Sequence, residues 1–105
     1  MAAPAAQWVK SSTQLELVGQ VDFDNVVSLL RDGESWIRQA SGDSCLLSLG
    51  GLTYSNSAAV ALILGLRRQA EKDRKNLNIA HVPDNLISMM RLGGLDWLLD
   101  ANSLN

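Results

Sequence analysis

The sequence predicts an α/β domain, a four- or five-stranded mixed β-sheet with helices packed against it. Three observations carry the prediction. The segment "SCLLSLGGL" at residues 44–52 is short, almost continuously apolar and without helical polarity, as a strand covered on both faces reads. "LNIAHV" at 77–82 has the same character, and a long helix-like stretch separates the two, so together they form a right-handed unit of strand, crossover helix and parallel strand. Upstream, "WVKSSTQLELVGQV" alternates apolar and polar residues on one side of a turn-like "KSST", which suits two antiparallel strands joined at residues 10–13.

Taken in order, "MAAPAAQ" lacks the charged start and apolar core of a signal peptide, and residues 1–6 read as a flexible tail ahead of a domain at 7–100. Gly19 ends the second hairpin strand. From "DFDNVVSLLRDGESWIRQ" the period turns helical: Val26, Val27, Leu29, Leu30, Trp36 and Ile37 share a face, Asp24 stands as N-cap, and Gly33 weakens a helix running from Asn25 to about Gln39. "ASGD" makes a turn into the central strand. After the second parallel strand, "PDNLISMMRLGGL" gives a helix that starts near Pro83 and stops at Gly93-Gly94. "DWLLD" adds a short edge strand, and "ANSLN" at 101–105 frays.

Composition narrows the function classes. The chain has 105 residues, 47% hydrophobic and 19% charged, with a net charge of −2. That balance lacks the basic stripe that a phosphate backbone requires, so nucleic acid is not expected as a partner. No apolar run approaches the roughly 18–20 residues of a membrane span, so direct membrane insertion is not expected. The lone cysteine, Cys45, has no internal disulfide partner and fits a reducing cytosol, as a small buried hydrophobe. One histidine, one cysteine and no close acid pair in an expected pocket leave nucleophilic and metal catalysis without parts, so no catalytic residue, metal ligand or cofactor is expected. His81 closes a strand and reads as structural or solvent-exposed. Gly50-Gly51 is not a phosphate loop, because no Gly-x-x-x-x-Gly-Lys-Ser/Thr follows it.

The most informative stretch is "LTYSNSAAVALILGLRRQAEKDRKN" at 52–76. It passes from small polar residues through nine apolar or glycine residues, 58–66, into a charged tail. In an open sheet of this kind, the loop leaving the carboxyl end of a central parallel strand is where ligands or partners meet the fold. Asn56 or Ser57 caps the helix that follows. With Ser57 opening it, steps of three and four place Ser57, Ala58, Ala61, Leu62, Gly65 and Arg68 toward solvent and Val60, Ile63, Leu64 and Leu66 inward. Small residues at 58, 61 and 65 let a partner helix approach, and Leu62 offers it an apolar grip. Arg67, Arg68, Glu71, Lys72, Asp73, Arg74 and Lys75 read as a solvated cluster whose late basic residues offset the helix dipole. Trp36 reads as core, while Trp8 and Trp97 cover the sheet's edges.

These residues also carry a resemblance. "LTYSNSAAV", followed at the family's spacing by "MMRLGGLDWLL", resembles the turn and later helix of the STAS domain, the family of anti-sigma factor antagonists and transporter-associated regulatory domains. The resemblance covers about residues 7–100 and implies a STAS-like sheet and a non-catalytic binding role. The family's turn in phosphorylated antagonists reads apolar-Ser-Phe-x-Asp-Ser-Ser-Gly-Leu. Here Asn56 stands at the Asp, Ala58-Ala59 replace the Ser-Gly pair, and Ser57 keeps a hydroxyl at the phosphorylatable position. The resemblance therefore implies Ser57 as a candidate phosphorylation or contact residue, with Ser55 and Asn56 beside it and Met90 and Arg91 bordering the interface. A compact chain with this altered turn is similar to the STAS subunits of phospholipid-transport ABC systems in Gram-negative bacteria. Those subunits sit on the cytoplasmic ATPase and, through it, on an inner-membrane permease, serving outer-membrane lipid asymmetry. The alternative implied partner is an anti-sigma kinase that switches binding by phosphorylating Ser57.

Overall fold

The computed structural model describes residues 4–95 and 97–100. Alternation in the hairpin builds β1 (Gln7–Lys10) and β2 (Gln14–Gln20), antiparallel, with Trp8 opposite Leu17 and Lys10 opposite Leu15. Two parallel steps follow. β2 pairs with β3 (Ser44–Tyr54) across α1 (Val26–Gln39), and β3 pairs with β4 (Asn76–Ala80) across α2 (Ser57–Lys72). The sheet is four-stranded and mixed, in the order β1-β2-β3-β4. α3 (Asp84–Leu92) starts directly after Pro83 and ends at Gly93. "DWLLD" makes no fifth strand: Trp97–Asp100 forms the short helix α4, with Trp97 exposed and Leu98 and Leu99 buried.

Because β2, β3 and β4 follow one another in the same direction, two right-handed crossovers put α1 and α2 on the same side of the sheet. Leu17, Cys45, Leu47, Leu49, Leu77 and Ile79 project to that side and share one core with Leu29 and Ile37 of α1, Ile63 and Leu66 of α2 and Leu86 of α3. The alternate positions Gln14, Glu16, Val18 and Leu46 are half-buried or exposed, with Ser48 a buried exception. The expectation that β3 is covered on both faces is thus corrected. Its unbroken apolar look comes from Leu46 and from Gly50-Gly51, where the register shifts and β3 carries an extra residue opposite Leu17.

Three further expectations are corrected. Pro4–Ala6, assigned to the tail, are tied to β2: Ala6 N–H donates to the Gln20 carbonyl and Gln20 N–H to the Pro4 carbonyl, each at 2.9 Å. Gly19 does not end a strand. It sits at φ +106°, where a Cβ would lie 2.9 Å from the Pro4 and Ala5 carbonyl oxygens. Residues 1–3 and 101–105, expected as tails, lie outside the described residues. At α1 the cap position is Asn25, not Asp24; the Asp22 carboxylate accepts from the N–H groups of Asp24 and Asn25.

Glycine sets how α1 meets α2. A Cβ at Gly33 would lie 2.6 Å from Leu66 Cδ2, and one at Gly65 would lie 2.6 Å from Leu30 Cδ1. Each helix therefore receives a leucine of the other where its own side chain is missing, and the backbones approach closely. Gly33, which weakens the isolated helix, enables the packed one. Val27 is exposed and Trp36 half-buried, donating from its indole to the Ser11 carbonyl, so the apolar face of α1 is narrower than its sequence suggests. Lys75 donates to the carbonyls of Ile37 and Ala40, closing the carboxyl end of α1 rather than that of its own helix. No helix among the described residues is long and apolar enough to cross a membrane.

Candidate partner-binding site

The carboxyl end of β3 delivers the chain to the amino end of α2 through Ser55 and Asn56. Of the two candidate caps, Asn56 performs the role: its backbone is extended, and its Oδ1 accepts the Ala59 N–H at 3.0 Å. Its other end is also committed, because Nδ2 donates to the Val21 carbonyl at 2.8 Å. An amide suits this place, since a carboxylate would keep the cap but face a carbonyl oxygen with no proton to offer. The side chain thereby fixes the α2 turn against the β2–α1 loop. Ser57 is left as the first helical residue, exposed, beside the unsatisfied N–H groups of the helix start.

The structure divides the expected contact residues. Ser57, Ala61 and Arg68 are exposed and Gly65 is half-buried. Ala58 and Leu62, expected outside, are each 0% exposed, while Val60 and Leu64, expected inside, are half-buried at the surface. The helix is therefore rotated about its axis relative to the expectation. Gly65 packs against Leu30 of α1, a helix-crossing position. Ser55 is also withdrawn: it is buried, and its hydroxyl donates to Asn85 Oδ1 at 3.0 Å, latching the turn to the first turn of α3. Met90 is 0% exposed and belongs to the core. Arg91 is exposed in the last turn of α3, about 10 Å along the helix from Asp84.

The charged end of α2 is less solvated than its composition suggests. Arg67 is buried and donates to the Leu98 carbonyl, holding α4; burial pushes its guanidinium below the ordinary value, and Glu71 opposes the shift. Arg68 instead faces a shallow groove of about 340 Å³ between α1 and α2, lined also by Leu30, Glu34, Gly65 and Lys72. Cys45 is buried beneath the helices. Burial pushes its thiol above the ordinary value, opposed by Lys75, so it has the character of a core residue and not of a nucleophile. His81 is exposed just after β4, at φ +58°.

Phe23 and Tyr54 are exposed large side chains that the sequence does not point to as contact residues, and Val27, expected on the apolar face of α1, is exposed as well. A signal was available for the first, because "DFD" places a large aromatic residue between two carboxylates.

Solved anti-sigma factor antagonists have the same fold. The chain matches the unphosphorylated form of SpoIIAA with a TM-score of 0.69 and 16% identity, covering 94% of this chain and 85% of that one. It matches the phosphorylated form of SpoIIAA, a Bacillus cell fate determinant, with a TM-score of 0.66 and 16% identity, over 94% and 88% of the two chains. A STAS domain protein from Planctomyces limnophilus matches with a TM-score of 0.65 and 10% identity, over 90% and 86%. At these identities the likeness is one of fold. No curated protein matches the sequence. A family model described as "Mlab, STAS domain" matches residues 5–100. The β1-β2-β3-β4 sheet, the helices on one face and the α2 turn are thus those of a family member: the chain belongs to the STAS-domain family of the Mlab type.

Proposed function

We propose that the protein is a cytoplasmic, non-catalytic STAS subunit that binds and stabilises the ATPase of a phospholipid-transport ABC system, and through it meets an inner-membrane permease. Docking uses the amino end and outer face of α2: Ser57, Val60, Ala61, Leu64 and Arg68. The observation that carries this reading is the division of labour at the turn. Asn56 does the capping, so Ser57 stands exposed at the head of a helix whose outer flank is apolar and small. Binding would act by mass action, favouring the ATPase conformation that assembles.

Ser57 also supports the second reading, a switch in which an anti-sigma-type kinase phosphorylates this hydroxyl. A solved relative of the fold is named as a phosphorylated form. One experiment separates the two. The chain is co-expressed with the ATPase and permease subunits and purified through its own tag, and in parallel incubated with such a kinase and ATP. The transporter reading expects a stable complex that Ser57→Arg abolishes and Ser57→Ala largely preserves. Phosphate incorporation lost in Ser57→Ala, with no ATPase complex, would replace it by the switch.

A further inference from the structure

The pole of the molecule that carries the Ser57 turn leaves Phe23, Val27 and Tyr54 exposed, and the charges flanking Phe23 in sequence are carboxylates. The carboxyl ends of the three parallel strands and the starts of the helices that follow span residues 20–30, 52–66 and 80–90. Those segments hold Asp22, Asp24 and Asp84 and neither lysine nor arginine, and an arginine, at 31, 67 and 91, directly follows each of them. Within the same pole, Phe23 is 75% exposed, Tyr54 57% and Val27 54%. The Val26 N–H bonds to the Asp22 carbonyl, so the α-helical spacing begins before α1 and stacks Phe23 one turn from Val27. Tyr54 pairs with Gln20 at the end of β2, and Asn56 holds the Val21 carbonyl two residues before Phe23. From Val27 the ridge reaches Leu30, which lies against Gly65, so it continues onto the outer flank of α2.

We infer that Phe23 is an anchor by which this pole docks, its ring entering an apolar socket on the partner that is rimmed by lysine and arginine facing Asp24 and Asp84. The inference rests on the proposed ATPase-binding role and extends its contact face from α2 onto the β2–α1 loop. Charge complementarity selects this occupant. An anionic membrane surface or a phosphate backbone would be repelled by the three carboxylates. A large exposed aromatic residue at the centre of a patch is the residue type that carries binding energy, while the charged rim sets association rate and salt dependence. Val27 and Tyr54 exclude water around the ring.

The test measures binding of the purified ATPase subunit to the full chain by calorimetry at low and high salt, with sedimentation of the chain alone. Phe23→Ala is expected to weaken binding about 30-fold with an unchanged melting curve, because the exposed ring packs little in the free protein. Asp24→Lys is expected to weaken binding and flatten its salt dependence. Leu92→Ala, at an exposed leucine on the last turn of α3, serves as the control and is expected to bind as the parent does. If the parent chain does not bind the ATPase at all, the proposed function fails and this inference falls with it. If the parent binds but Phe23→Ala binds equally well, or affinity is indifferent to salt, the inference alone is overturned. It is likewise overturned if Phe23→Ala instead dissolves a self-associated form and leaves ATPase binding intact, since the occupant would then be a second copy.

Discussion

Asn56 bears two loads that chemistry can separate. Replacing it with alanine removes the cap on Ala59 N–H, worth about 1 kcal/mol, and the bond to the Val21 carbonyl, worth about as much again, so the loss is about 2 kcal/mol. For a domain of this size that corresponds to a fall in melting temperature of about 10 °C. Asn56→Asp keeps the capping oxygen and adds a negative charge at a helix start, a small gain of about 0.5 kcal/mol. It also sets a carboxylate oxygen where Nδ2 now lies 2.8 Å from the Val21 oxygen. The donor is lost and two oxygens face each other, so the variant should be about 1 kcal/mol less stable than the parent at neutral pH. It should sit between the parent and Asn56→Ala. Acidification below about pH 4 returns a proton that can bridge the oxygens, and the gap to the parent should then narrow. Urea unfolding of the three proteins at neutral and acidic pH, analysed by linear extrapolation, measures all of this. A neutral-pH Asn56→Asp as stable as the parent, or an Asn56→Ala loss below about 0.5 kcal/mol, would refute the double role.

Two further predictions concern packing and titration. Gly33→Ala and Gly65→Ala place a methyl equally close to a leucine, yet Leu66 is fully buried whereas Leu30 is half-buried at the surface and can turn away. Overpacking of about 1–3 kcal/mol should outweigh the helix-propensity gain of about 1 kcal/mol at Gly33 only. Side-by-side melts should show Gly33→Ala less stable and Gly65→Ala equal or more stable than the parent; the reverse order would contradict the crossing geometry. The Cys45 thiol, pushed up by burial, stays protonated to higher pH in the folded than in the unfolded chain. Its contribution to stability is complete below the unfolded thiol's value, about 8.5, and is lost as pH rises through the higher folded value. The parent's urea midpoint should therefore fall more steeply than that of Cys45→Val above about pH 9, and parallel curves would dismiss the effect.

The phase of α2 was harder to read than its existence. Polarity marks where the helix ends, at the charged tail, but residues 58–66 contain no polar side chain to mark its solvent side. Any rotation of such a run satisfies the period, so Ala58 and Leu62 could be exchanged with Val60 and Leu64 at no cost visible in the sequence. The choice was made by α1, whose Leu30 enters the gap at Gly65 while Leu66 enters the gap at Gly33. The same holds for Met90 and Ser55, which look available until α3 is packed. "DWLLD" is a related case: four or five residues are too few for a period to separate a strand from a turn of helix, and docking of Arg67 on the Leu98 carbonyl favours the helix.

What the sequence determined by itself is whatever local chemistry decides. That includes the hairpin, the parallel strand–helix–strand unit, the stop at Gly93-Gly94, the cap at residue 56 or 57 and the family to which the turn belongs. Tertiary structure alone decided which side of α2 meets solvent, that Asn56 ties two loops together, that Lys75 closes a helix not its own, and that Phe23, Val27 and Tyr54 are left exposed. The reason is physical. Backbone propensity and periodicity act over one or two turns, whereas exposure is settled by neighbours that the chain brings together from 30 or more positions away.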